Sequence, residues 1–290
     1  MVEGILINGL IQGGIYALLA VGFSLIFGVA RMINLSHTCF YMLAAYGVYA
    51  LTRNAGLPLW AAIVLSLVIT ILIGILTYRL FMDRVREHHV TVMLITLALA
   101  MVFQECMVLA FGGHYRGAPA FVSGYWEIIG VKVTYQHILT FGVALLVLLG
   151  VWALLTKTRL GVAIRATAQD SEIANLMGID VRRILLITMG LAAALAAVAG
   201  VVVAPTLTLE PRMWTPPLVM VMAIVVLGGL GSVKGSFIGA FIIGFVEVLV
   251  VFVLPGGAFL KGAIALLVMV IILLVRPEGL FGVVFEEERL

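Results

Sequence analysis

The sequence predicts an all-α, polytopic integral membrane protein of eight to nine transmembrane helices, one of them short or re-entrant. Three observations carry that expectation. First, 64% of the 290 residues are hydrophobic and only 11% are charged, whereas a soluble domain carries roughly 25% charged residues. Too few charges remain to solvate a globular surface, so lipid must be the solvent for most of the chain. Second, the apolar residues come in runs of about 20, the length a helix needs to cross hydrocarbon; a β-barrel would show short alternating segments instead. Third, Lys and Arg concentrate on alternate connections, as they do on cytoplasmic loops.

In chain order, the runs of spanning length are Ile5 to Val29, Leu35 to Leu51, Leu59 to Phe81, Val90 to Phe111, His137 to Leu155, Ile184 to Ala204, Val233 to Leu254 and Lys261 to Val275. The first is too long for a signal-peptide core, and no Lys or Arg precedes Arg31, so it is expected to remain as a span. Leu218 to Leu227 is too short to span alone and is expected as a re-entrant half-helix or a short tilted crossing. If it crosses, one set of connections holds Arg31, Arg79, Arg84, Arg86, Lys157, Arg159, Arg165, Arg182, Arg183, Lys234, Arg276 and Arg289. The other set holds only Arg53, Arg116, Lys132, Arg212 and Lys261. The basic set should face the cytoplasm, which puts the N-terminus outside and the C-terminus cytoplasmic. If it does not cross, the last two spans flip and Arg276 lands outside, against the bias. Residues 1–290 read as a single transmembrane domain.

The net charge of +3 follows from this loop bias and calls for no nucleic-acid partner. Cys39 and Cys106 fall inside apolar segments and read as small packing residues. Glycine and alanine recur at small-residue spacing from Gly190 to Gly200 and at Gly235, Gly239 and Gly244, which suits close helix packing in lipid. The ending Glu286-Glu287-Glu288-Arg289 reads as a solvated tail.

The two longest connections differ in character. Gly112 to Gln136, on the expected outer side, carries Pro119, Tyr125 and Trp126, and such aromatics suit the headgroup level. Residues 156–183, on the expected inner side, form a basic, amphipathic, helical insert. Within it Ile173, Leu176 and Met177 stand at i, i+3 and i+4 and make one apolar stripe. Asp170 suits the N-cap of that turn, with Arg165, Glu172 and Gly178 alongside. A short helix of this kind can seat in a groove of a soluble partner or lie on the anionic inner leaflet.

Signatures of chemistry are sparse. There is no Gly-x-x-x-x-Gly-Lys-[Ser/Thr] loop to hold nucleotide, no His-Glu-x-x-His and no Gly-x-Ser-x-Gly. His88 and His89 are adjacent and cannot both face one metal from a helix. No metal site is expected. Gln104, Glu105 and Glu247 lie in apolar spans, where a carboxylate should face the bundle interior, a partner or water. They either line a path, fix a helix pair or, for the two glutamates, snorkel to an interface. Asn34, Ser36 and His37 stand between two spans, where they either cap the second helix or line the inner mouth of a path. The glycines from Gly228 to Gly235 lack the ending of a phosphate loop and read as a tight turn.

Five segments, in order, carry a family resemblance. They are Asn8-Gly9-Leu10 with Gly14 to Leu18; Gly28-Val29 with Met32 to His37; Gly161 to Ile179; Leu227 to Ser232 with Gly235; and Arg276 to Gly282. Together they resemble the permease subunit of branched-chain amino acid ABC importers, the LivH type. The resemblance implies a bacterial or archaeal cytoplasmic (inner) membrane protein that binds no cofactor itself. It further implies a second permease chain, homologous but different, two cytoplasmic ATPase subunits that hold ATP-Mg, and an external substrate-binding protein. In that setting the stripe on 156–183 is the ATPase-coupling element. Thr38 and Cys39 depart from the Gly and polar residue that usually follow the family's histidine. The departure opens urea, short amides or aromatic acids as alternatives to leucine, isoleucine and valine. An ion-coupled secondary transporter or channel is the competing reading of the spans and glutamates, but it leaves the helical insert without a role.

Overall fold

The computed structural model describes residues 2–128 and 131–282, so the acidic tail lies outside the described residues. Eleven helices dominate: α1 (Val2–Ala30), α2 (His37–Arg53), α3 (Leu59–Thr77, extended by a π-helical turn over Tyr78–Met82), α4 (His89–Phe111), α5 (Tyr135–Lys157), α6 (Arg159–Gln169), α7 (Ser171–Leu176), α8 (Val181–Val203), α9 (Thr215–Gly228), α10 (Val233–Val253) and α11 (Gly257–Val275). Seven of them, α1, α3, α4, α5, α8, α10 and α11, are long and apolar enough to cross a membrane. The other two apolar segments, α2 and α9, are 17 and 14 residues long.

Two helices form the axis of the bundle. The spanning windows of α1 and α8 are 78% and 72% buried, against 17% for α4 and 6% for α11. The difference follows from sequence. α1 and α8 are lined with Gly and Ala, so neighbours can approach on all sides, while α4 and α11 present large side chains to lipid. α1 packs antiparallel on α10 through a seam in which Gly4, Gly9 and Gly13 receive the rings of Phe252, Phe245 and Phe241. Gly244 lies against the backbone of Gly13, where an added Cβ would come within 2.7 Å of its nitrogen.

The bundle has two distinct ends. The hairpin end carries an antiparallel pair, β1 (Tyr125–Ile128) and β2 (Val131–Thr134), which the all-α expectation missed. A bridge between Arg116 and Leu209 ties the two long connections together there. The loop end carries α6 and α7, the Asp83–Arg182 ion pair at 2.8 Å, and Arg31, whose guanidinium donates to the Ala168 carbonyl. The short helix α9 runs between the ends. Its start shares a cavity with Asn8 and Lys261, and its last residues, Leu227 and Gly228, accept hydrogen bonds from Leu280 and Phe281 beyond α11. The glycine-rich turn therefore meets the Arg276-to-Gly282 segment, two motifs that the sequence singled out separately. Gly229 (φ 97°) and Gly279 (φ 81°) lie against each other there, in a conformation that other residues rarely adopt.

One expected span begins differently from its apolar run. The chain leaves α1 at Arg31, which takes φ 53°, and folds back into the bundle before α2 starts. His37 bonds the carbonyl of Leu19, eleven residues before the end of α1 and so about 16 Å along its axis. Non-helical backbone at that depth is tolerated because protein surrounds it.

Candidate functional site

Two cavities lie against α1 on different sides of the helix, and α5 and α10 contribute to the wall of each. The one toward the hairpin end measures about 600 Å³. Its wall on α1 is Asn8, Ile11, Gln12, Ile15, Tyr16 and Leu19, faced by His137 and Thr140 of α5 and Glu247 and Val251 of α10. The one toward the loop end measures about 710 Å³ and has Val21, Ser24, Leu25, Gly28 and Val29 as its wall on α1, faced by Leu148 and Trp152 of α5 and Phe237 of α10. Phe141 rests on Gly14 and Phe241 on Gly13, so two rings close on α1 at the level of the first cavity.

Glu247 is the chemically distinctive group of the first cavity. It is 3% exposed. Tyr16 Oη donates to its Oε2 at 2.8 Å, and Gln12 Nε2 lies 3.5 Å from the same oxygen. The carboxylate therefore both joins α10 to α1 and faces the cavity. Its partners were missed from sequence, although a signal was present. Asn8, Gln12 and Tyr16 recur every fourth residue, a polar stripe on an otherwise apolar helix.

Gln104 and Glu105 do not line either cavity. Gln104 accepts from Trp214 Nε1 at 3.0 Å and donates to Glu105 at 3.2 Å, while Glu105 is exposed on the outer face of α4. Cys106 beside it is exposed as well, so it does not pack as expected; Cys39 is buried. Asn34, Ser36 and His37 are fully buried. Asn34 Oδ1 accepts from the Ser36 amide at 3.0 Å and the Ser36 hydroxyl at 2.7 Å, which fixes the turn into α2. His37 Nε2 pairs with Leu19, and its Nδ1 has no partner among the described residues. This trio sits inside the bundle and does not line either cavity.

The 156–183 insert folds as two short helices. Thr158 caps α6 by accepting from Gly161, and Asp170 caps α7 by accepting from the amides of Glu172 and Ile173, both at 2.9 Å. Gly178 (φ 86°) closes α7. Its amide bonds Asn175 and the next amide, Ile179, bonds Ala174, the paired closure that a left-handed glycine permits. With both ends fixed, α7 turns Ala174 inward and leaves Ile173, Leu176 and Met177 at 58%, 85% and 78% exposure. Glu172 is exposed beside them. Arg165 is separate from this stripe. Its guanidinium bonds the Leu155 carbonyl and lines the loop-end cavity.

A family model described as "Branched-chain amino acid transport system / permease component" matches residues 5–273. The chain belongs to that permease family. It is 31% identical to the permease protein BraD of the high-affinity branched-chain amino acid transport system of Pseudomonas aeruginosa, over 96% of this permease and 94% of BraD. It is 28% identical to LivH of Escherichia coli K12, over 95% and 94%. A chain of the solved structure titled "PsaBC from Streptococcus pneumoniae in complex with Fab" matches with TM-score 0.51 and 15% identity, over 93% of this permease and 90% of that chain, a likeness of fold alone.

Proposed function

We propose that this permease is the membrane subunit of an ABC importer for branched-chain amino acids. The family match over residues 5–273 carries that reading and weighs against an ion-coupled carrier or channel. The relatives BraD and LivH are named for branched-chain amino acid transport, which supports the substrate class.

In this reading the chain crosses the cytoplasmic (inner) membrane of a bacterium or archaeon nine times, counting α2 and α9. The N-terminus and the hairpin end are outside; the loop end and the C-terminus are cytoplasmic. The basic residues gather accordingly, with Arg31, Arg165, Arg182 and Lys234 at the loop end. An external binding protein delivers substrate to the hairpin end. A second, homologous permease chain completes the path. Two cytoplasmic ATPase subunits bind ATP-Mg; this chain binds no cofactor.

The stripe Ile173, Leu176 and Met177 is the surface on which an ATPase subunit seats. Large apolar side chains held this exposed beside charge, on a helix capped at both ends, fit a groove in a soluble partner. Closure of the ATPase pair on ATP pushes α6 and α7, and α5 and α8, joined directly to them, carry the movement into the bundle. Purification of the chain with its neighbours tests the reading. ATPase subunits should co-purify, and leucine uptake into vesicles should require ATP and survive collapse of ion gradients. Uptake driven by an ion gradient without ATP contradicts it.

A further inference from the structure

We propose that Glu247 is the anchor for a primary ammonium group on a short aliphatic molecule bound in the hairpin-end cavity. The proposal deepens the importer reading and rests on it, since the α-ammonium of a branched-chain amino acid is such a group. A carboxylate taken out of water is costly unless it is paired. Among the described residues, the only hydrogen-bond partners of Glu247 are neutral, Tyr16 and Gln12. Both bonds end on Oε2, which leaves Oε1 without a protein donor beside a cavity of about 600 Å³, a volume in the range of small-molecule sites. A buried charge held by neutral donors and open to a cavity fits a cation that arrives with the ligand rather than one built into the fold. The remaining wall matches the rest of such a molecule. Ile11, Ile15 and Val251 supply an apolar surface for a branched side chain, and Lys261 supplies the opposite charge for a carboxylate.

The test uses the whole transporter with its binding protein, reconstituted in liposomes. Glu247→Gln keeps the size and the ability to accept from Tyr16 but removes the charge. It should lower kcat/KM for leucine uptake about 10- to 100-fold, as expected for loss of a charge-assisted hydrogen bond. The complex should stay assembled and continue to hydrolyse ATP. Tyr16→Phe keeps the carboxylate and should lower uptake less than Glu247→Gln; a purely structural link between α1 and α10, which the glutamine retains and the phenylalanine removes, would reverse that order. Without binding protein, 3-methylbutylamine should raise the thermal midpoint of the wild-type complex but not of Glu247→Gln, whereas any response to 4-methylpentanoate should not depend on the Glu247 charge. Unchanged uptake by Glu247→Gln, or an amine response that survives the substitution, overturns the proposal. An amine response that depends on Glu247, in a wild-type complex that takes up no leucine, overturns the importer substrate class and leaves the ammonium site standing.

Discussion

The two cavities along α1 are similar in size and opposite in chemistry. The hairpin-end cavity is lined by Asn8, Gln12, Tyr16, Thr140, Glu247 and Lys261 among others, so polar groups recur on most of its walls. The loop-end cavity is walled by Leu25, Leu145, Leu148, Val151 and Trp152, and its charged residues are Arg165 and Lys234. On the proposed function, the contrast puts recognition at the hairpin end. Oriented polar groups give specificity and affinity, and an importer needs them where substrate enters, not where it leaves.

The comparison breaks most completely at the seam between α1 and α10, two helices that line both cavities. Gly244→Leu drives a side chain into the backbone of Gly13, and overpacking of this kind costs about 3 kcal/mol or more. It should abolish recovery of monodisperse protein in detergent chromatography, and both cavities with it. Ile173→Asp with Leu176→Asp leaves both cavities intact and removes the apolar stripe. Since both side chains are exposed, the thermal midpoint should hold while the bound ATPase subunit falls about tenfold or more in a pull-down. Asp170→Ala removes one cap from α7, worth about 1 kcal/mol. Its effect on coupled ATP hydrolysis should have the same sign and be smaller, about two- to fivefold if the helix frays. Ser24→Ala sharpens the contrast from the apolar side. Its hydroxyl is buried on the loop-end cavity without a partner among the described residues, so removal should leave uptake unchanged and raise stability by up to about 1 kcal/mol in thermal melts.

The distribution of what was legible in sequence follows from how far each contact reaches along the chain. Seven of the eight expected spanning runs, the cap at Asp170 and the stripe on α7 all depend on neighbours within four residues, and the structure has them where the periodicity places them; the eighth, from Leu35, gives the 17-residue α2. The hairpin was missed because four-residue strands leave a weak pattern inside a long connection. The start of α2 was read as the edge of a span; its burial depends on Leu19, Thr96 and Met189, which come from three other helices. Glu105 and Glu247 show the limit most clearly. Sequence gives the depth of a carboxylate along a helix but not the direction it faces when all faces are apolar. Glu247 meets Tyr16, 231 residues away, whereas Glu105 points away from the bundle, six residues from the end of α4 and about 9 Å along its axis.

The central claim is that the polar cavity opens to the outside and the apolar cavity to the cytoplasm. Thiol accessibility tests it most directly. With Cys106 changed to Ser and Cys39 left buried, Thr208→Cys reports on the first cavity and Lys234→Cys on the second. In intact cells, a membrane-impermeant maleimide should label Thr208→Cys, and leucine with its binding protein should slow that labelling. Lys234→Cys should react only after the membrane is permeabilised. Labelling of Lys234→Cys in intact cells, with Thr208→Cys protected until permeabilisation, would invert the chain in the membrane and contradict the account.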